Sequence, residues 1–479
     1  MTTATRPRVP RGIEYNLGFF VRLGLLLGVL GGIGAATLPA IPILGYGLLA
    51  HHDSITSYVA WLFGWCQHSE LVSEGIYGCG QYGLPVPLFE PAVVMQRVLG
   101  LVGLGRPPKV TVDYVVAIIA SLILLHFVVI SVTLIIYILR KVIGYMQARL
   151  GPMRVGPKGI LQTLIDAVKL LAKEDTIPGT ADKVMFTLAP VVVFIPALLV
   201  YVVVPFGDSK GFIARDLNIG ILYVVAMSSI TVIGIILAGW ASDNKYALFG
   251  AMRAAAQLVS YEVPGVLVVL GPVIMAGSLG MRDIILAQKG GVTEWFIWSP
   301  VPLVGFLVYL ISSLAETNIT PFDLPEAESE LVSGYNVEYS GMKFGLFFLA
   351  EFANSFTVCF VAAALFLGGW YAPPVFKLAA GLTLALSVGL CWIELPFLLR
   401  WALAASALAV CLGMPDHGWG SLYWMMLKAS GLQFLTMWIR ATYPRVRVDQ
   451  LMEFAWKGLI PISLVYLAAV GLWAAINQK

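Results

Sequence analysis

Apolar runs of 18 residues or more recur along this chain of 479 residues, and its charged residues are pressed into the gaps between them. A run of that length crosses a bilayer as a helix, because about 20 residues at 1.5 Å each cover the ~30 Å of hydrocarbon. Inside lipid every backbone N–H and C=O must find its partner within the chain. Repeated runs of this kind therefore point to an all-α, polytopic membrane protein. Composition agrees: 59% of residues are hydrophobic and 12% charged, with a mean hydropathy of +0.86, where a soluble domain carries about twice the charge. The net charge of +3 is no nucleic-acid signal, since the basic residues lie between spans. No Sec-type cleavage site or Arg/Ser-rich transit segment is present, so no removable peptide is expected. The five cysteines (Cys66, Cys79, Cys359, Cys391, Cys411) and five histidines (His51, His52, His68, His126, His417) form no CxxC or ligand-spaced cluster. No metal, haem or iron–sulfur site is expected, and any redox chemistry must use a cofactor or substrate from elsewhere.

A first span is expected over residues 17–38, with Gly24, Gly28 and Gly32 spaced every four residues. That stripe suits close helix packing and is equally explained by ordinary glycine tolerance in membranes. Residues 43–112 read as a loop region outside the membrane with short interfacial helices near 61–65; Cys66 and Cys79 within it are either a disulfide or two free thiols. Further spans are expected near 113–139, 184–206, 219–240, 261–279, 299–316, 342–371, 419–440 and 457–476. Residues 140–183 hold eight Lys and Arg and 440–457 hold four, whereas the loops on the other side hold about two each. The positive-inside rule then places the first group and the N-terminus in the cytoplasm and the C-terminus in the periplasm. Alternation requires residues 375–414 to cross twice or not at all; the favoured reading is a hairpin turning at Pro396, between Glu394 and Arg400, the other a pair of helices lying on the surface. The expected organisation is thus 1–112 as an added span and loop, 113–371 as the first core helices, 372–416 as an inserted hairpin and 417–479 as the last two helices.

Within residues 158–174, Ile160, Leu161, Leu164, Val168 and Leu171 fall on one helical side and Gln162, Asp166, Lys169 and Lys173 on the other. This predicts an amphipathic helix lying in the interface, with Asp166 pairing to Lys169 or aligning with Lys173. Its role is an anchor or the wall of an entrance for a lipid-soluble molecule. Residues 243–257 read as a cytoplasmic loop whose Lys245 and Arg253 serve topology or supply cations to an acidic segment.

That acidic segment, residues 315–341, holds Glu316, Asp323, Glu326, Glu328, Glu330 and Glu338 and no Lys or Arg. Crowded carboxylates repel one another and gain proton affinity, so proton chemistry is expected at this membrane boundary. Glu351 lies some nine residues into the following span, roughly 14 Å deep at 1.5 Å per residue, and Glu262 opens another. An ionised group there costs about 2.5–3.5 kcal/mol, so each needs a partner or a water-filled path. A structural hydrogen bond and protonation on demand are the two readings.

Four stretches carry a family resemblance. Residues 140–175 follow RKxxGxMQxRxGPxxVGPxGxLQ with a later Asp, Lys and Lys-Glu; residues 243–264 read DNKYALFGAMRAAAQLVSYEVP. Residues 315–354 contain PFDLPEAESELVSGYNVEYSG, and residues 438–457 read WIRATYPRVRVDQLMEFAWK. Together these stretches resemble a family of membrane subunits of bacterial NADH–quinone oxidoreductase (respiratory complex I), the counterparts of mitochondrial NADH dehydrogenase subunit 1. The resemblance covers residues 117–371 and 417–476. It implies eight family spans, here with an added N-terminal span and a hairpin, in the bacterial inner membrane. It implies that Arg149, Gln162, Asp166, Lys169, Lys245 and Arg253 border a quinone chamber, with quinone as substrate. Glu262, Glu316, Asp323, Glu326, Glu328, Glu330, Glu338 and Glu351 would couple quinone reduction to proton translocation. NADH, flavin (FMN) and iron–sulfur clusters would reside on partner subunits, with lipid and other membrane-arm subunits around this chain. The chain departs from the family at Leu139, where Glu is usual, and at Ile319, where Arg is usual. Alternatives are a ferredoxin-, deazaflavin- or hydrogenase-linked relative and, from another class, a free-standing ion antiporter.

Overall fold

The computed structural model describes residues 109–208, 212–325, 330, 332–391, 408, 411–413 and 417–477, and every regular element among them is helical. The expected N-terminal span, the outer loop with Cys66 and Cys79, and most of the expected hairpin, Pro396 included, lie outside the described residues. In chain order the helices are α1 (Lys109–Met146), α2 (Gln162–Ala172), α3 (Lys183–Leu199), α4 (Gly220–Ala241), α5 (Lys245–Ala276) and α6 (Met281–Ala287). They continue as α7 (Pro300–Glu316), α8 (Gly341–Phe366), α9 (Pro374–Cys391), α10 (Trp419–Thr442), α11 (Val448–Glu453) and α12 (Ile460–Asn477), the last two joined by a π-helical turn, Phe454–Leu459.

Each of the eight expected family spans falls on a helix. Among the described residues, six stretches are long and apolar enough to cross a membrane: Leu124–Met146, Lys183–Val202, Gly220–Ala241, Lys245–Ala276, Gly341–Phe366 and Val448–Ile476. The apolar α7 is shorter, and α10 is long but carries Lys428, Gln433 and Arg440. Two helices act as hubs. α5 packs against α4, α7 and α12, while α8 packs against α3, α10 and α1. Contacts this close depend on small residues. A side chain at Gly271 or Gly305 would run into the ring of Tyr466, which α12 inserts between α5 and α7.

Residues 243–257, expected as a cytoplasmic loop, are helical from Lys245 onward. They form the first turns of α5, a 32-residue helix capped by Asn244, whose side chain accepts the Tyr246 N–H at 2.9 Å. Lys245 and Arg253 made this stretch look like a boundary, but its alanines favour helix, and Gly250 packs directly on the backbone of Gly334 and Tyr335. Glu262 consequently sits in the middle of a helix rather than opening a span. At the other end Gly277, at φ 67°, closes α5 by donating to the Val273 carbonyl.

The helix ends fall into two groups. On one side, the loop side, the acidic segment meets the chain after α2 through Ser340–Thr176 (2.8 Å), α3 through the stacked rings of Tyr339 and Phe186, the start of α5 through Glu338–Asn244 (2.6 Å) and the chain after α10 through Asp323–Arg445 (2.8 Å). On the far side the segments around Asp208, Arg282 and His417 come together, with His417 Nδ1 at 3.0 Å from Asp208.

Candidate polar cavity between the hub helices

Three carboxylates from three helices line one cavity: Glu262 from α5, Glu316 from the last turn of α7 and Glu351 from α8. Its volume is about 30 Å³, enough to admit water. Ser228 and Thr231 of α4 and Asn354 of α8 supply further polar wall, and Val193, Ile235 and Phe347 the apolar remainder. Pro264 contributes by an absence, since it has no N–H to give the Ser260 carbonyl one turn earlier, next to Glu262.

The hydroxyls around the cavity can serve a carboxylate in either protonation state. Ser229 Oγ reaches both Glu262 Oε1 and the Val225 carbonyl, the latter at 3.0 Å. A hydroxyl has one hydrogen to donate. With Glu262 ionised, Ser229 donates to the carboxylate. With Glu262 protonated, the acid donates to Ser229, and Ser229 donates to Val225. Ser228 repeats the arrangement, back-bonding the same carbonyl at 2.9 Å while hydrogen-bonding Glu316. Glu351 has the guanidinium of Arg440 at 4.0 Å, and that guanidinium stands over the Phe352 ring at 5.9 Å.

The other acidic residues behave differently from the crowded cluster expected of them. Those described are paired one by one: Glu330 with Arg253 at 2.5 Å, Asp323 with Arg445 at 2.8 Å, Glu338 with the Asn244 amide at 2.6 Å. Glu326 and Glu328 lie outside the described residues. Folding brings cations from α5 and the α10–α11 connection, and the Asn244 amide, onto a segment that has no Lys or Arg of its own, so repulsion is relieved locally. Arg253 thus stands opposite the acidic segment, whereas the contact Lys245 makes is with the ring of its neighbour Tyr246 at 5.2 Å.

The amphipathic helix α2 is present over a shorter range than expected, its apolar residues Leu164, Val168 and Leu171 are exposed, and so are Ile160 and Leu161 just before it. Asp166 pairs with Arg140 of α1 at 2.5 Å and takes the Gln162 amide at 3.1 Å, in place of the expected Lys169 or Lys173. Burial alone would lift the Asp166 pKa. The hydrogen bonds from Arg140 and Gln162, with the charges of Arg140 and Lys169, hold it below the ordinary carboxylate value. Arg149 donates to Gln147 at 2.6 Å. Leu139 and Ile319, the two departures from the family pattern, are both buried but belong to separate apolar clusters, so they do not replace a touching pair.

Sequence reasoning missed Ser228, Ser229, Thr231 and Asn354 of the cavity and the cations Arg440 and Arg445. A signal existed for the first three: hydroxyls grouped within an otherwise apolar run. For Arg440 it was a cation inside the end of a span.

The NADH dehydrogenase family model matches residues 119–471. The H subunit of NADH-quinone oxidoreductase from Brevibacillus brevis is 47% identical over 356 residues, covering 74% of this chain and 92% of that relative. The proteins of the same name from Geobacillus kaustophilus and Dehalococcoides mccartyi are 46% and 44% identical, over 70% and 72% of this chain and 87% and 83% of their own lengths. On this extent of similarity the chain belongs to the NADH dehydrogenase family.

Proposed function

We propose that this chain is the membrane subunit of a proton-translocating NADH–quinone oxidoreductase that forms part of the quinone chamber and couples quinone reduction to proton movement. The names of its relatives support the membership of that complex. The cavity shared by Glu262, Glu316 and Glu351 is the observation that carries the coupling role. In this reading NADH is oxidised and electrons travel on flavin and iron–sulfur groups of partner subunits, and only quinone reaches this chain. The loop side faces the bacterial cytoplasm, with α2 and the first turns of α5 bordering the quinone, in the inner membrane.

Reducing a quinone to a quinol takes two electrons and two protons, so charge appears and disappears beside the acidic segment. Each change of charge acts on the ion pairs Arg253–Glu330 and Arg445–Asp323. The segment that carries them begins at Glu316 itself, so a displacement at the rim reaches the cavity through a few residues of backbone. Three carboxylates around so small a space share protons as a coupled set rather than as three independent acids. A coupling free energy of about 1–3 kcal/mol between the two sites is the usual size of such a linkage.

The test is Glu316→Gln in the assembled complex in membranes. NADH-driven quinone reduction and proton uptake into inverted vesicles are expected to fall together by about tenfold or more, the loss of one transition-state interaction. Wild-type pumping by the assembled variant overturns the reading. An antiporter would instead purify alone and move ions without redox input.

A further inference from the structure

Gln257 lies on α5, five residues before Glu262, and is completely buried. Its Nε2 faces three acceptors: the Ala315 carbonyl at 2.8 Å, the Phe322 carbonyl at 2.8 Å and Asn318 Oδ1 at 3.2 Å. Those acceptors are the two ends and the middle of a single turn. At its start α7 finishes with Glu316; at its end Phe322 is followed by Asp323, the partner of Arg445. Glu316, Thr317 and Asn318 within the turn line the cavity. Asn318 holds a left-handed conformation at φ 50°, which asparagine adopts more readily than most side chains. Two amide hydrogens serving three acceptors leave the bonds shared rather than saturated. A small movement of the turn therefore exchanges one acceptor for another without stranding the amide.

We infer that Gln257 is the positioning residue of this site: its amide fixes Glu316 against Glu262 and lets displacement of the Asp323 end of the turn reset that position. The inference rests on the coupling role proposed for the cavity and deepens it. Gln257 touches no substrate and moves no proton; it sets where the carboxylate stands.

The experiment compares Gln257→Leu and Gln257→Glu with Glu316→Gln in the assembled complex, normalised to complex present in the membrane. Turnover is measured against quinone concentration and against pH. For Gln257→Leu we expect kcat to fall about tenfold with the KM for quinone within about twofold of wild type, the pattern for loss of an interaction made beyond ground-state binding. The pH profile of kcat should move by about one unit, because the carboxylate's surroundings change. Gln257→Glu keeps the shape and regains one donor only when protonated, so its turnover relative to wild type should climb as pH falls. A purely structural role would reduce the amount of complex and leave the pH profile of the remainder unchanged, and that result overturns the inference. If Gln257→Leu does not assemble, a pH-independent defect in Gln257→Glu overturns it equally. A normal pH profile in Gln257→Leu with an altered one in Glu316→Gln sinks this inference alone; unchanged behaviour of Glu316→Gln sinks the coupling role beneath it.

Discussion

The two halves of α8 bury charge in opposite ways. Toward the loop side, Glu351 and Asn354 border a cavity shared with two other carboxylates, and the nearest cation, Arg440, stands 4.0 Å from Glu351. Toward the far side, residues from Phe360 to Phe366 are at most 4% exposed and pack as rings and alanines, Phe366 against Phe306 at 5.6 Å. A buried cation appears there too. Lys428 of α10 donates to the carbonyls of Leu367, Gly369 and Tyr371 at 2.6, 2.8 and 2.6 Å and lies 4.0 Å from the Trp295 ring centre. An ammonium has three hydrogens, and here each has a carbonyl. Gln288 completes the closure by donating to the carbonyls of Ala364 and Leu365, so the orphan acceptors at the end of α8 are met by side chains. A charge whose every donor is matched is held in one place. In the cavity beside the other half, Glu262 and Glu316 face serine hydroxyls that can donate or accept. The difference separates a lock from the proposed proton site on the same helix.

Breaking the lock should have the largest effect. Lys428→Met leaves three buried carbonyls without a donor, a loss on the order of 3–5 kcal/mol. We expect little assembled complex by native gel of solubilised membranes; normal assembly would erase the contrast between the halves. Glu351→Gln should behave in the reverse manner, assembling normally while NADH-driven quinone reduction falls by about tenfold. A variant that assembles and turns over like wild type removes Glu351 from the proton site. Smaller still is the rim. Arg253→Gln removes a partly exposed ion pair of a kind worth about 0–1 kcal/mol, and quinone reduction should drop by about twofold, less than for any cavity carboxylate. A rim variant more damaged than Glu351→Gln would move the centre of the chemistry from the cavity to the acidic segment.

Apolar runs made the helices legible, since length and hydropathy are properties of contiguous sequence. The start of α5 was not, because Lys245 and Arg253 mark a boundary to any reading that weighs charge, while the alanines and the Asn244 cap that extend the helix are weaker local signals. Glu262 and Glu351 stood out singly as costly residues in or beside spans, and Glu316 as a member of the acidic segment. That they share one cavity depends on how α5, α7 and α8 cross, which no local pattern encodes. The same holds for Arg445, 122 residues from its partner Asp323 along the chain, and for Gln257, which looks like one polar residue among alanines until the turn at 315–322 is folded against it.

The smallest effect is expected at α2, where the charge is paired but exposed to water. Arg140 and Gln162 hold Asp166 ionised with a pKa below its ordinary 3.8. The sign follows from linkage: a depressed carboxylate contributes fully above its unfolded pKa, and the contribution is lost as pH falls through the lower folded value. Docking of α2 on α1 should therefore be constant from about pH 5 to 8 and weaken only in more acidic solution. Asp166→Asn takes the charge away at every pH. Amides of α2 in that variant should exchange with deuterium a few-fold faster at neutral pH, the size expected for a half-exposed pair, while in wild type their protection, corrected for intrinsic exchange, stays level over the same range. Loss of protection in wild type between pH 5 and 8 would mean that another group, not Asp166, governs the docking of this helix.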